Sequence, residues 1–300
     1  MLTLNGFIPV RESLDKMQYV LDVLYPQAGL VLELRDQSGK IRRVEVMAKQ
    51  KETQVLQGQT DEDQWRLRVE REDRLRRDRS KYQEFGDQLM ILRLSNFFLS
   101  NGRIEELMSK ARKHTTLVVD LRGNPGGAVT TLREILGGMF EQDVKIADEI
   151  RRKKTTSVFA KGMHNRAFNG KLIVLVDSKS ASAAEVFARV VQLQKRGIIL
   201  GDFSSGRVME AQYHPHRIGQ GTGQHATLFY GVNVSEADFI MADGKSLEHV
   251  GVTPDEKILP SKQDLFNHRD PVLARAAEIA GVTLSPEQAG AMFPYEWPTE

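Results

Sequence analysis

LIVLVDSKSASAAEVFARVVQLQK, residues Leu172–Lys195, opens with a continuous apolar run, Leu172–Val176, of the kind carried by a strand buried on both faces. Asp177–Ala184 follows and is almost entirely small or polar. Beyond it Val186, Phe187, Val190, Val191 and Leu193 recur at helical spacing. The pattern predicts a strand, a tight loop and a helix, with Ser180 and Ser182 at the join. Backbone N–H groups at a helix start are unpaired, and the helix dipole there favours negative charge. A serine so placed suits nucleophilic attack on a substrate that develops an oxyanion. The same residues also describe an ordinary cap, because Ser182-Ala-Ala-Glu185 is a capping box. On this stretch alone both readings stand.

Outward from it, strand and helix alternate. Gln88–Leu94 and Thr116–Leu121 read as strands, with Gly102–Lys113 and Val129–Phe140 as helices. Gly197–Leu200 follows the central helix as a further strand. This alternation predicts an α/β core over residues 86–282 with a mainly parallel sheet. After Gly206 the texture turns to hairpins: Val208–His214, Gln224–Tyr230, Asn233–Val234 and Phe239–Met241, with turns at Gly219–Gly223 and Ala242–Lys245. Asp270–Ala280 reads as a closing helix, and 283–300 as a Pro-rich, loosely held tail. Toward the start, Ser13–Leu24 reads as a helix with Leu14, Met17, Val20, Leu21 and Leu24 on one face. Gly29–Arg35 and Arg42–Ala48 read as a hairpin around Asp36–Lys40. Residues 1–50 thus form a small β-rich domain with a thin core, joined through a charged helical linker, 51–85.

Composition narrows the function. The 300 residues carry 42 basic and 40 acidic side chains, a net +2, so net charge implies no partner. Arg66, Arg68, Arg71, Arg74, Arg76, Arg77 and Arg79 alternate with acids at helical spacing, which argues for a solvated helix and against nucleic-acid binding. The absence of cysteine excludes disulfide and thiol chemistry. No apolar run approaches membrane-spanning length, and MLTLNGFIPVRES lacks the features of a signal peptide. His214-Pro-His216 has no third ligand at useful spacing, so neither metal nor cofactor is expected.

A second glycine-bearing loop, Asp120-Leu-Arg-Gly-Asn-Pro-Gly-Gly127, also follows a buried strand. It lacks the Gly-Lys-Ser/Thr of a phosphate loop and the spacing of a dinucleotide fingerprint; alone it is an ordinary strand-to-helix turn. In combination, DLRGNPGG, SASAAEVFA and SLEHVGVTPD, in that order, resemble the S41 family of serine peptidases, the tail-specific or carboxyl-terminal processing proteases and their tricorn-like relatives. LNGFIPV, a helix and VLELRDQSGKIRRVEV resemble the second half of a PDZ domain. The resemblance covers most of residues 1–260. It implies a crotonase-like (ClpP/crotonase) α/β core preceded by a partial PDZ-like domain whose upstream strand and loop are not found.

By this resemblance Ser182 is the nucleophile, and the N–H groups of Ala183 and of Gly126 or Gly127 form the oxyanion hole. Ser180 is left as a turn or cap. The base departs from the family pattern. Arg207, in Phe203-Ser-Ser-Gly-Arg-Val208, stands where the serine–lysine branch carries its lysine, and a guanidinium with a pKa above about 12 cannot deprotonate a hydroxyl near neutrality. Glu248 matches the acid of the tricorn-like Ser-His-Glu members, whose histidine precedes the PDZ domain. Of the seven histidines, His249 adjoins Glu248, but neighbours on an extended segment face opposite ways. His214, His216, His164 and His225 read as surface residues. The implied function is a serine endopeptidase acting on protein or peptide substrates at C-termini or unstructured segments, exported or periplasmic as its relatives are, with homo-oligomerisation left open. The alternative is a catalytically incomplete, PDZ-bearing peptide-binding relative. Acyl-CoA chemistry gives the serine loop and Glu248 no role. The chain is expected to hold a nucleophile and an oxyanion hole but no competent base.

Overall fold

The computed structural model describes residues 1–10, residues 16–47 except 18, 26 and 37, and residues 80–218 and 228–293. The chain divides into two compact units, Met1–Gly58 and Gln59–Glu300. The arginine-rich run and the linker up to residue 79 lie outside the described residues, as do His225 and the turn at 219–223. Residues 81–85, expected to end the linker, form a strand instead.

In the first unit, β1 (Thr3–Leu4), β2 (Gly29–Arg35) and β3 (Ile41–Met47) make an antiparallel sheet in the order β1-β2-β3. The β2–β3 turn is held by Asp36, whose carboxylate accepts from the Ser38 hydroxyl (2.6 Å) and the Lys40 N–H (3.0 Å). That is the local side-chain capture expected of aspartate at a turn. The described part of the predicted helix ends in a π-helical turn, Val20–Leu24. Met17 and Leu21 are buried, whereas Leu24, expected on the same face, is 53% exposed because the wider π-turn rotates it outward.

In the second unit a six-stranded sheet runs in the order β13-β10-β9-β6-β5-β4. Its strands are β4 (Lys81–Phe85), β5 (Leu89–Arg93), β6 (Thr116–Asp120), β9 (Lys171–Val176), β10 (Gly197–Gly201) and β13 (Glu256–Lys257). All pair in parallel except the edge strand β4. Side chains alternate between two buried faces, which is why the central strands read as continuous apolar runs. Met90, Leu117, Val119, Leu172 and Val174 pack toward α1 (Asn101–Ala111), α2 (Val129–Gly137) and α3 (Ala183–Leu193). Leu89, Ile91, Val118, Ile173 and Leu175 pack on the other side with Val272, Leu273, Ala276 and Ala277 of a closing helix.

Beside this three-layer core stands an antiparallel sheet, β11-β12-β7-β8. Its strands are β7 (Val144–Arg151), β8 (Lys154–Ala160), β11 (Glu210–Ile218) and β12 (Leu228–Met241). The short strands expected at 224–230, 233–234 and 239–241 are one continuous β12 over its described length, since it pairs along both edges, with β11 and with β7. The hairpin β7–β8 has no counterpart in the sequence reading. After α4 (Lys262–Phe266) and the closing helix α5 (Pro271–Ile279), the expected loose tail contains α6 (Pro286–Met292). Its Ala289 is only 2% exposed, and a side-chain atom at Gly290 would fall 1.7 Å from the His268 carbonyl oxygen. The tail is therefore packed through residue 293 because small residues let its backbone approach closely.

Candidate active site

Val176 ends β9 at the middle of the sheet, and the chain reaches α3 through the loop 177–182. Ser180 is fully buried; its hydroxyl donates to the Leu121 carbonyl (2.8 Å) and accepts from the Asp177 N–H (2.9 Å). It holds the turn, as expected. Ser182 caps α3 with φ 55° and ψ −122°, a backbone region that favours glycine. Its N–H donates to the Arg207 carbonyl (2.8 Å) and to Glu185 Oε2 (3.1 Å). Ser182 and Glu185 occupy the positions of a capping box. Ser182 also lines a cleft.

That cleft has a volume of about 390 Å³ and is lined by Ser182, Ala183 and Gly127, with apolar walls that include Phe98, Leu132, Val186 and Phe239. The glycine loop is tied to the serine loop along its length. Gly123 N–H donates to Asp177 (2.9 Å), and Ala181 N–H to the Asn124 carbonyl (2.9 Å). At Gly126, with φ 97°, a side-chain atom would stand 2.6 Å from Ser182 Cβ, so only glycine permits this approach. The Gly126 N–H is already used, donating to the buried Asn124 side chain (2.8 Å). No hydrogen bond engages the N–H of Gly127 or of Ala183 among the described residues. Two unengaged donors thus flank the serine, the arrangement that can stabilise a developing oxyanion.

Glu185 carries more than its sequence position announced. Fully buried, it accepts from Ser204 Oγ (2.5 Å) and Gly206 N–H (2.7 Å) through Oε1. Through Oε2 it accepts from Arg207 N–H (3.0 Å) and Ser182 N–H (3.1 Å). One carboxylate thereby locks the loop 204–207 to the start of α3. In the sequence it was visible only as the far end of a capping box. Arg207 contributes its backbone to this arrangement, while its exposed guanidinium donates through Nε to Ser205 (2.7 Å).

Glu248 sits behind the cleft rim. Its Oε2 accepts from the N–H groups of Val208 (2.7 Å) and Met209 (3.1 Å), both of which line the cleft. The expected opposition of Glu248 and His249 does not hold. His249 has φ 60° within a turn, so the alternation of an extended chain does not apply, and its Nε2 lies 3.9 Å from Glu248 Oε1. The His249 ring is nevertheless 89% exposed. His214 pairs with Glu236 (2.8 Å) on the antiparallel sheet, and His164 and His216 are exposed. Among the described residues no histidine or lysine lines the cleft.

A residue the sequence reading passed over, Glu210, does line it. Burial, then the neighbouring Glu149 carboxylate, raise its pKa above the ordinary value, although Arg151 lies 2.9 Å away. Among the described residues no group of three or more His, Cys, Asp or Glu could hold a metal ion, and no helix is long and apolar enough to cross a membrane.

The segment that carries both loops and Glu248 matches a known family. Residues 88–258, more than half of the chain, match the model of peptidase family S41. The chain belongs to this family. The tail-specific protease of Haemophilus influenzae is 31% identical to this S41 chain over 135 residues, covering 42% of this chain and 19% of that protein. The carboxy-terminal processing protease CtpB of Bacillus subtilis is 33% identical over 116 residues, covering 38% and 23%. The matched segments thus span about a fifth of those relatives. Among solved structures, the photosystem II D1 C-terminal processing protease aligns with a TM-score of 0.50 at 19% identity, over 86% of this chain and 62% of that one. Mature CPAF aligns at 0.54 and 12%, over 80% and 64%. At these identities the likeness speaks for a shared S41 fold.

Proposed function

We propose that this chain is a serine-type endopeptidase module acting on protein or peptide substrates through acylation of Ser182. The observation that carries the reading is the strained Ser182 backbone on the cleft floor, flanked by the unengaged N–H groups of Ala183 and Gly127. Ser182 Oγ attacks the scissile carbonyl carbon, and the proton it loses ends on the leaving nitrogen. The carbonyl oxygen becomes an oxyanion between the two N–H donors, each such donor being worth about 3 kcal/mol in the transition state. Collapse breaks the C–N bond, the amine leaves with a proton, and water then hydrolyses the ester and restores the serine.

Glu248 is the acidic member in this scheme. With Oε2 held by Val208 and Met209, its Oε1 is the oxygen that would orient an imidazole. Arg207 is no base, because its guanidinium stays protonated. With no histidine or lysine lining the described cleft, peptide turnover by these 300 residues is low. In the same reading the core is crotonase-like, the first unit is part of a PDZ domain that captures substrate termini, and the chain works outside the cytoplasm, as the family resemblance implies.

The test is covalent labelling with a fluorophosphonate, read by intact mass and peptide mapping. The expected result is one adduct on Ser182, absent in Ser182→Ala, which loses no more than about 1 kcal/mol of stability. A folded chain that takes no label overturns the peptidase reading and leaves a peptide-binding relative.

A further inference from the structure

A second cleft lies apart from the serine cleft. On an adjacent face of α2 lies a cleft of about 630 Å³, lined by Thr130, Arg133 and Glu134 of the helix and by residues 161–166 after β8. Three permanent cations, Arg133, Lys161 and Arg166, line it together with His164, against the single carboxylate of Glu134. The loop that presents them is held by its backbone. Gly162 N–H donates to Asp143 (2.9 Å), Met163 N–H to the Phe140 carbonyl (3.0 Å) and His164 N–H to the Glu141 carbonyl (3.1 Å). Arg112 donates to the Arg166 carbonyl (3.1 Å). At Gly137 a side-chain atom would come within 2.2 Å of the Lys161 carbonyl oxygen, so α2 and the loop meet at backbone distance.

The side chains are left for something else. Arg133 Nε donates to the Phe159 carbonyl (2.8 Å), which aims the guanidinium and leaves its two terminal nitrogens with no partner among the described residues. Lys161, His164 and Arg166 likewise have no side-chain partner among those residues. Like charges gathered on a rigid rim repel one another, and an anionic ligand relieves that repulsion.

We propose that this basic cleft is an exosite for an acidic segment of the polypeptide substrate, its carboxylates engaging Arg133, Lys161 and Arg166. The inference rests on the peptidase reading above. α2 links the two sites, since its Val129 and Leu132 line the serine cleft while Thr130 and Arg133 line the basic one. A helix is about 10 Å across and an extended chain advances about 3.3 Å per residue. The acidic residues therefore fall about three or four positions from the scissile bond.

The test measures binding of two fluorescein-labelled peptides, one with a run of Glu and its Gln counterpart, to the 300-residue chain by anisotropy. The Glu peptide is expected to bind about tenfold tighter, each of three exposed ion pairs contributing a factor of about two. The preference should fall to about twofold in Lys161→Ala/Arg166→Ala, where Arg133 alone remains, and weaken in 0.5 M salt, about 4 Å of Debye screening. Equal affinity of the parent chain for the two peptides, or the full parent preference in the double variant, overturns the proposal. So does tighter binding of a single-stranded oligonucleotide of equal charge. Fluorophosphonate labelling of the same samples separates the two readings. Labelled Ser182 without acidic preference overturns the exosite alone. Acidic preference without labelling overturns the peptidase reading and with it the substrate role, leaving an acidic-peptide site.

Discussion

At Glu185 a single buried carboxylate satisfies four donors, and two of them, Ser182 N–H and Arg207 N–H, bracket the nucleophile. Glu185→Gln keeps the shape but turns one oxygen into an NH2 group that must face an N–H donor. A buried donor left without an acceptor costs about 1–3 kcal/mol. The expected outcome is a loss of stability of that size in urea unfolding, together with slower fluorophosphonate labelling of Ser182. Labelling at the parent rate would show that Glu185 holds the fold without positioning the serine. The backbone of Ser182 gives the same lesson from the other side, since its φ of 55° is held by the hydrogen bonds its N–H donates to the Arg207 carbonyl and to Glu185 of its own helix.

Between elements, the glycine loop is anchored by Arg122. Its guanidinium bonds both oxygens of the fully buried Asp120 (2.8 Å each) and both of Asp270 (2.9 and 2.7 Å), and Asp270 also caps α5 by accepting from the Leu273 N–H (3.0 Å). One ion network thus joins the end of β6 to the start of α5. Burial opposes the charge on Arg122, yet Asp120 and Asp270 hold its pKa well above the ordinary value. Removing the guanidinium in Arg122→Ala strands two carboxylates and is expected to cost about 3–5 kcal/mol by urea unfolding. Burial works to raise the Asp270 pKa, but the hydrogen bonds and charge of Arg122 outweigh it and keep the pKa lowered. A lowered carboxyl stabilises the fold above its unfolded pKa of about 3.9, and that contribution fades as pH falls through the folded value. Asp270→Asn should therefore be less stable than the parent at pH 7, with the gap closing at pH 3. A gap of constant size would mean that the Asp270 charge contributes nothing.

For the whole molecule, both apolar layers of the second unit are built from residues between Tyr82 and Phe293. A unit with its own core folds without its neighbour. Residues 59–300 alone are expected to unfold in one cooperative calorimetric transition and to take the fluorophosphonate at Ser182 as the full chain does. A broad, non-cooperative transition would show that the first unit completes the fold.

By itself the sequence determined the central strands, the helices between them and the two loops that meet at Ser182. Those features are written in neighbouring residues: apolar runs such as Leu172–Val176, helical spacing from Val186 to Leu193, and the glycines of DLRGNPGG. Only the tertiary structure decided which glycine N–H stays unengaged, because that turns on Asn124 being buried and turned toward Gly126. It alone gave Glu185 its four donors, from segments about twenty residues apart, and set His249 on the same side as Glu248 through one positive-φ turn. The continuity of β12 was equally out of reach, since a long strand is completed by its partners and not by its own pattern. Periodicity is a property of the chain, whereas hydrogen-bond accounting and charge belong to whatever the fold brings together.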